Sequence, residues 1–250
     1  MAHSPEIRIA KIQYGPLPGA PWLNPKISPH QPLLLATLDI RWEPEAPRSA
    51  VARLEDNLLT FSPDLAKHEC RGEGAYRVFT ARNSEIPDRS AAVEWADPAP
   101  AGGEPYDGRL ALAHLLEHAV IDFQCAITDA ERCSGITAAH RSTSGRFDLM
   151  VECQEERIGR CCLALAVAWL TRAANGESLG TAEREVLIAA RVFHGQDGRG
   201  LRAPVVARKL AWSEDRARRA LTALRQVGYL DEVRSGVGSC DIPEYRLARA

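Results

Sequence analysis

The stretch Ala111-Leu-Ala-His114-Leu-Leu-Glu117-His118-Ala-Val-Ile-Asp122-Phe-Gln124 reads as one amphipathic helix. Leu112, Leu116, Ala119, Val120 and Phe123 recur at steps of three and four, the spacing that lines up an apolar face. His114 and His118 are four apart, so a helix carries both imidazoles on one side. Glu117 shares their turn. The order H-x-x-E-H is the inverted zincin arrangement: two imidazoles able to hold one Zn²⁺, and a carboxylate able to take a proton from water. The bland alternative is a polar stripe facing solvent.

Working outward, 250 residues suffice for one large domain or two small ones with ample core. Apolar residues make up 45% and charged residues 26%, the balance of a soluble globular chain rather than a disordered one. The sequence has no uninterrupted apolar run of about 18 residues, and Met-Ala-His-Ser-Pro-Glu lacks the basic-then-apolar pattern of a secretory signal. A cytoplasmic protein without a membrane span is expected. None of the seven cysteines forms a Cys-x-x-Cys pair, and Cys161-Cys162 sits in an apolar helical pattern, so buried free thiols are expected. The net charge of −2 hides an asymmetry. Residues 181–250 carry 13 Lys and Arg against 9 Asp and Glu, a net of +4, and the other 180 residues a net of −6. Only the C-terminal part is a candidate for polyanion binding.

The pattern along the chain predicts an α+β fold in two parts. Residues 6–14 alternate as a half-buried strand, 15–32 form a Pro/Gly-rich loop, and 33–40 a more buried strand. A helix over 49–59 starts at Ser49 as N-cap. A short turn over 63–68 and a long irregular insertion over 75–104 lead to the motif helix. Residues 125–145 read as a loop or short helix, and 146–153 as a strand with Phe147, Leu149 and Val151 on one face and Asp148, Met150 and Glu152 on the other. A helix opening at Glu155 or Glu156 runs to Leu170, completing a first domain over residues 1–175; residues 175–180 form a linker. Helices over 181–193, 201–210 and 214–227, with Ser213 capping the last, then a hairpin over 229–234 and 244–247, make residues 181–250 a small winged helix-turn-helix domain.

A Zn²⁺ at His114 and His118 needs a third protein ligand, and Glu152 and Glu156 are the candidates. Asp122, one turn past His118, is placed to orient a ligating imidazole. His68 and His140 fall in loops that could line a cleft. With Glu117 as general base, the chemistry is metal-assisted hydrolysis of a peptide or isopeptide bond. No Walker A sequence, dinucleotide fingerprint or G-x-S-x-G elbow occurs, which argues against nucleotide-driven and serine-hydrolase chemistry. In the second part, Arg216, Arg218, Arg219 and Arg225 lie on the third helix and Arg234 flanks the wing, a basic set suited to double-stranded DNA. Dimerisation or protein docking is the alternative use of such a domain, and a homodimer is compatible with it.

In these residues the chain resembles the N-terminal domain of cyanophycin synthetase over residues 8–172. Ile9-Ala-Lys-Ile-Gln13 with Leu38-Asp39 resembles that domain's opening, and Pro63-Asp-Leu65-Ala-Lys-His68-Glu-Cys70 its Leu-Pro-x-Leu-x-x-His-x-Cys block. His114-Leu-Leu-Glu117-His118 through Asp122-Phe-Gln124 resembles its His-x-x-Glu-His helix. Met150-Val-Glu152, Glu156 and Gly159-Arg160 resemble its Val-x-Glu-Tyr-x-x-Glu-x-x-Gly-Arg segment. The resemblance implies an α+β domain that in some synthetases carries a zinc-peptidase-like site, matched here by His114, Glu117 and His118, with counterparts for both Glu152 and Glu156. The 250 residues hold no counterpart of the family's ATP-grasp and ligase domains, so hydrolysis rather than synthesis is expected. The competing expectation is a DNA-binding regulator whose first domain senses a metal or peptide. A site kept only as a scaffold is a third, disfavoured by the complete H-x-x-E-H set.

Overall fold

Among the described residues, five strands and three long helices frame the motif. The computed structural model describes residues 4–17, 19–24, 27, 29–42, 48–62, 89–92, 108–131, 133–140, 143–196, 200–233 and 243–248. Strand β1 (Glu6–Pro16) pairs with β2 (Pro32–Arg41) across a connection that holds the short helix α1 (Ala20–Leu23). Helix α2 (Arg48–Phe61) follows, then β3 (Arg89–Ala92) and the motif helix α3 (Gly108–Thr128). Strands β4 (Gly135–His140) and β5 (Arg146–Glu152) lead to α4 (Glu156–Ala174). All pairings are antiparallel, in the order β1-β2-β5-β4-β3. The β4–β5 hairpin turns at Gly145, whose φ of +77° suits a residue without a Cβ; a Cβ there would also stand 2.6 Å from the Ile40 carbonyl.

The period-two alternation of β2 and β5 does what it predicts. Leu34, Ala36, Leu38, Ile40, Phe147, Leu149 and Val151 join the helices in the main core. Leu33, Ile136, Ala138 and Met150 project from the other face and meet Ala20 and Ile27. The sheet is thus covered on both sides.

The C-terminal third begins with α5 (Thr181–His194), then β6 (Leu201–Arg202), α6 (Ala203–Leu210), α7 (Glu214–Gln226), β7 (Leu230–Val233) and β8 (Glu244–Leu247). The three strands form a second antiparallel sheet in the order β6-β8-β7. The Ser213 hydroxyl accepts from the Arg216 amide, the N-cap contact that its position predicts. Helix α5 packs against α3 and α7, and its Val186, Leu187, Ala190 and Phe193 belong to the same buried cluster as Phe123 and Trp169. Polar contacts follow the same seam: Arg184 donates to the Thr60 and Phe61 carbonyls at the end of α2, and Arg157 donates to the Ala248 carbonyl. In the stretch 175–180, Leu179 is buried and its amide is held by the Asn57 side chain.

Several local readings change: the expected loop 15–32 holds helix α1, and residues 201–202, expected to open a helix, form strand β6. Residues 135–140 form a strand within 125–145, and residues 89–92 another within 75–104. Helix α2 starts one residue earlier than expected, so Ser49 lies inside its first turn rather than capping it. The expected turn over 63–68, with His68, lies outside the described residues, as do Arg234 and the tip of the hairpin.

Candidate active site

Helix α3 is 21 residues long, and by length and composition alone it could cross a bilayer. Here it is the core helix, packed against the sheet, α2, α4 and α5. An amphipathic helix with a solvated polar side is not what forms. Both sides are buried, and His114, Glu117, His118, Asp122 and Gln124 go in with the leucines, each 3–8% exposed. Burying five polar groups on one helix is costly unless each meets a partner. Their partners define the site.

The two imidazoles meet each other. His114 Nε2 and His118 Nε2 are 3.0 Å apart, with ring centroids 4.6 Å apart and planes at 79°. Such a contact needs one bare and one protonated nitrogen, or one electrophile shared by both lone pairs. Two nitrogens each roughly 2.1 Å from one tetrahedral Zn²⁺ stand about 3.4 Å apart, so the ion would part these rings by about 0.4 Å.

Glu117 turns toward the sheet. Thr137 on β4 donates a 2.5 Å hydrogen bond to its Oε2. Its carboxyl lies against the backbone of Gly135, where a Cβ would come within 2.6 Å of Oε1 and 2.9 Å of Cγ. Gly135 is therefore required by close approach rather than by backbone angle. Burial pushes the Glu117 carboxyl up to about 7, against a smaller opposing pull from Thr137. A carboxyl poised there can both accept and release a proton near neutrality.

The remaining acids are placed differently. Glu152 Oε2 accepts from the Ser134 amide at 2.9 Å, and Gln124, two turns beyond Glu117, donates to the Glu152 carbonyl. Glu152 also lines a small cavity of about 60 Å³ with Gln124, Cys133, Cys153 and His194. Glu156 pairs with Arg160 one turn along α4, at 2.6 Å. Among the described residues, no group of three or more His, Cys, Asp or Glu is gathered as a metal would require. Asp122 accepts from the Ser62 hydroxyl, which ties the end of α2 to α3. His140, expected in a loop, stands on β4 with Nε2 3.1 Å from Oδ2 of the fully buried Asp148, which also accepts from Thr37 at 2.7 Å.

The arginines of α7 are largely engaged. Arg216 lies 2.7 Å from Glu185 on α5 and its guanidinium stacks 4.4 Å over the Trp212 ring. Arg218 faces Glu214 and Asp215, and Arg225 pairs with Glu232 at 3.0 Å. Arg219 is exposed, as are Arg208 and Lys209 on α6. Sequence reasoning missed Thr137 and Gly135. The one signal available was a glycine heading a run of small residues, which marks close backbone approach.

No family model, no curated protein and no solved structure matches the chain.

Proposed function

We propose that the chain is a zinc-dependent hydrolase of peptide or isopeptide bonds, with His114 and His118 as metal ligands and Glu117 as the proton carrier. The observation that carries this reading is the 3.0 Å approach of two buried imidazole nitrogens, His118 being next in sequence to Glu117, whose carboxyl burial pushes up to about 7. A bound Zn²⁺ supplies Lewis acidity toward a carbonyl and an acidified water. The chain's own residues do the rest. Thr137 and Gly135 fix the Glu117 carboxyl against β4, so Oε1 and Oε2 have one orientation from which to take a proton and return it to a leaving amine. Burial excludes bulk water from the helix face on which His114 and His118 stand.

Zinc analysis after metal-replete purification tests the reading. Close to one Zn²⁺ per chain is expected, lost in His114→Ala or His118→Ala; Glu117→Gln keeps the metal and loses hydrolysis of peptide substrates by about 10²-fold or more. Wild-type protein without zinc refutes it. For the third ligand, Glu152→Gln and Glu156→Gln are to be compared by zinc content, because each glutamate has a protein partner that it would have to leave or share.

A regulator that binds double-stranded DNA is the second reading. Its support is the C-terminal element order, helix, short strand, two helices and hairpin with sheet order β6-β8-β7, which is that of a winged helix. Arg219, Arg208 and Lys209 are its contact candidates. Arg219→Ala should lower affinity and flatten the salt dependence by about one ion, without loss of stability. Arg216→Ala instead removes the contacts with Trp212 and Glu185 and should lower stability. Absence of any DNA shift at low salt would leave the C-terminal third a protein-docking element.

A further inference from the structure

Two thiols lie just beyond the motif helix's proton carrier and belong to none of the chemistry above. Cys125 is in the last turn of α3, and Cys133 is two residues before Gly135. Their Sγ atoms are 3.9 Å apart and both are half-buried, whereas Cys153, Cys161 and Cys162 are buried. We propose that Cys125 and Cys133 are a reversible oxidation site that a hydroperoxide converts to a disulfide, tethering the end of the motif helix to the strand that cradles Glu117.

The geometry suits this. Asp129, one residue past the end of α3, holds a left-handed φ of 60°, and the two Sγ atoms already lie within 3.9 Å of each other. Closing 3.9 Å to the length of an S–S bond, about 2.05 Å, asks for a shift of about 2 Å at the side chains. Cys133 also borders the cavity beside Glu152, which brings a molecule of peroxide size up to the pair from the Cys133 side. The two thiols are unequal. Contact with the Cys133 thiol lowers the Cys125 thiol, while the same contact and burial raise Cys133, so Cys125 is the first to ionise. The Cys125 thiolate attacks one oxygen of the peroxide, the O–O bond breaks, and with a proton from solvent water leaves, giving the sulfenic acid. Cys133 sulfur then displaces the sulfenic oxygen. The S–S bond forms, and the Cys133 proton and the hydroxyl depart as a second water. In sum two thiols and hydrogen peroxide give one disulfide and two waters. A dithiol reverses it by exchange.

Full-length native protein treated with equimolar hydrogen peroxide, then blocked with an alkylating agent, unfolded and digested, tests this by mass spectrometry. The expected product is a linked peptide joining Cys125 to Cys133, 2 Da lighter than the two thiol peptides and restored by dithiothreitol. Cys125 should be consumed at least about tenfold faster than Cys153, whose thiol burial pushes up to about 11. In Cys133→Ser, dimedone should trap a sulfenic acid at Cys125. The proposal is overturned if Cys125 and Cys133 stay alkylatable while glutathione in a parallel sample is oxidised, or if Cys125 links to another cysteine.

Discussion

Replacing Glu117 by Gln should change how stability depends on pH, not merely stability. The carboxyl is fully enclosed, with Thr137 Oγ1 as its hydrogen-bond donor at 2.5 Å, and burial raises it from an ordinary 4.5 to about 7. Below about pH 4.5 it is protonated in both the folded and unfolded chain and contributes nothing to the pH dependence. Between about 4.5 and 7 the unfolded chain releases the proton while the folded chain keeps it, so stability falls as pH rises. Above about 7 both forms are ionised and the loss is constant. The separation of the two values corresponds to about 3 kcal/mol at about 1.4 kcal/mol per unit. Glutamine keeps the shape and an oxygen for Thr137 but has no proton to lose. In chelator-treated protein, urea unfolding at a series of pH values should therefore give curves for wild type and E117Q that lie close together near pH 4.5. By pH 8 they should diverge until the variant is more stable by about 3 kcal/mol. The difference between the two proteins isolates this carboxyl, since every other titrating group is common to both. A difference that stays constant within about 0.5 kcal/mol from pH 5 to pH 8 would refute the account of a buried, neutralised Glu117.

Gly135→Ala should cost about 1–3 kcal/mol, because the new methyl meets Oε1, Cγ and Cδ of Glu117 at 2.6, 2.9 and 3.0 Å in a packed interior; thermal melts read it, and a cost below about 0.5 kcal/mol would show that the carboxyl is free to move aside. Asp39 is held down to about 2 by hydrogen bonds from Arg146 and Arg8, so its contribution is present above about 3.8 and lost as pH falls through about 2. Arg146→Ala should raise the midpoint of acid unfolding followed by circular dichroism while changing stability at pH 7 little, as expected of a solvent-screened pair.

Much of this was legible in the chain. The motif helix announced itself because leucine, alanine and phenylalanine recur at helical steps. The two faces of β5 followed from strict alternation, which set Phe147, Leu149 and Val151 toward the helices and Met150 away. What did not show is whatever depends on a layer beyond the element itself. Strand β4 is packed on both faces, so Gly135-Ile-Thr-Ala-Ala-His140 lacks the polar alternation that betrays a half-exposed strand, and its small residues give little strand propensity. The helix face of His114 and Glu117 reads as polar stripe or as buried site with equal ease, since periodicity reports sidedness and not what lies opposite. For the same reason the reading of Arg216 as a solvated phosphate contact could not foresee Trp212 beneath it and Glu185 across from it.

The seam along α5 has a consequence for how this chain handles energy. Val186, Leu187 and Phe193 fill the core that also surrounds Phe123 on the motif helix, and Arg184 closes the end of α2. The last seventy residues and the first stretch are therefore thermodynamic creditors of one another: whatever holds α3 more firmly in its folded form also protects α5 from opening. An ion or peptide captured at the histidines would slow amide exchange in the hairpin at the far end of the chain, with no direct contact between them.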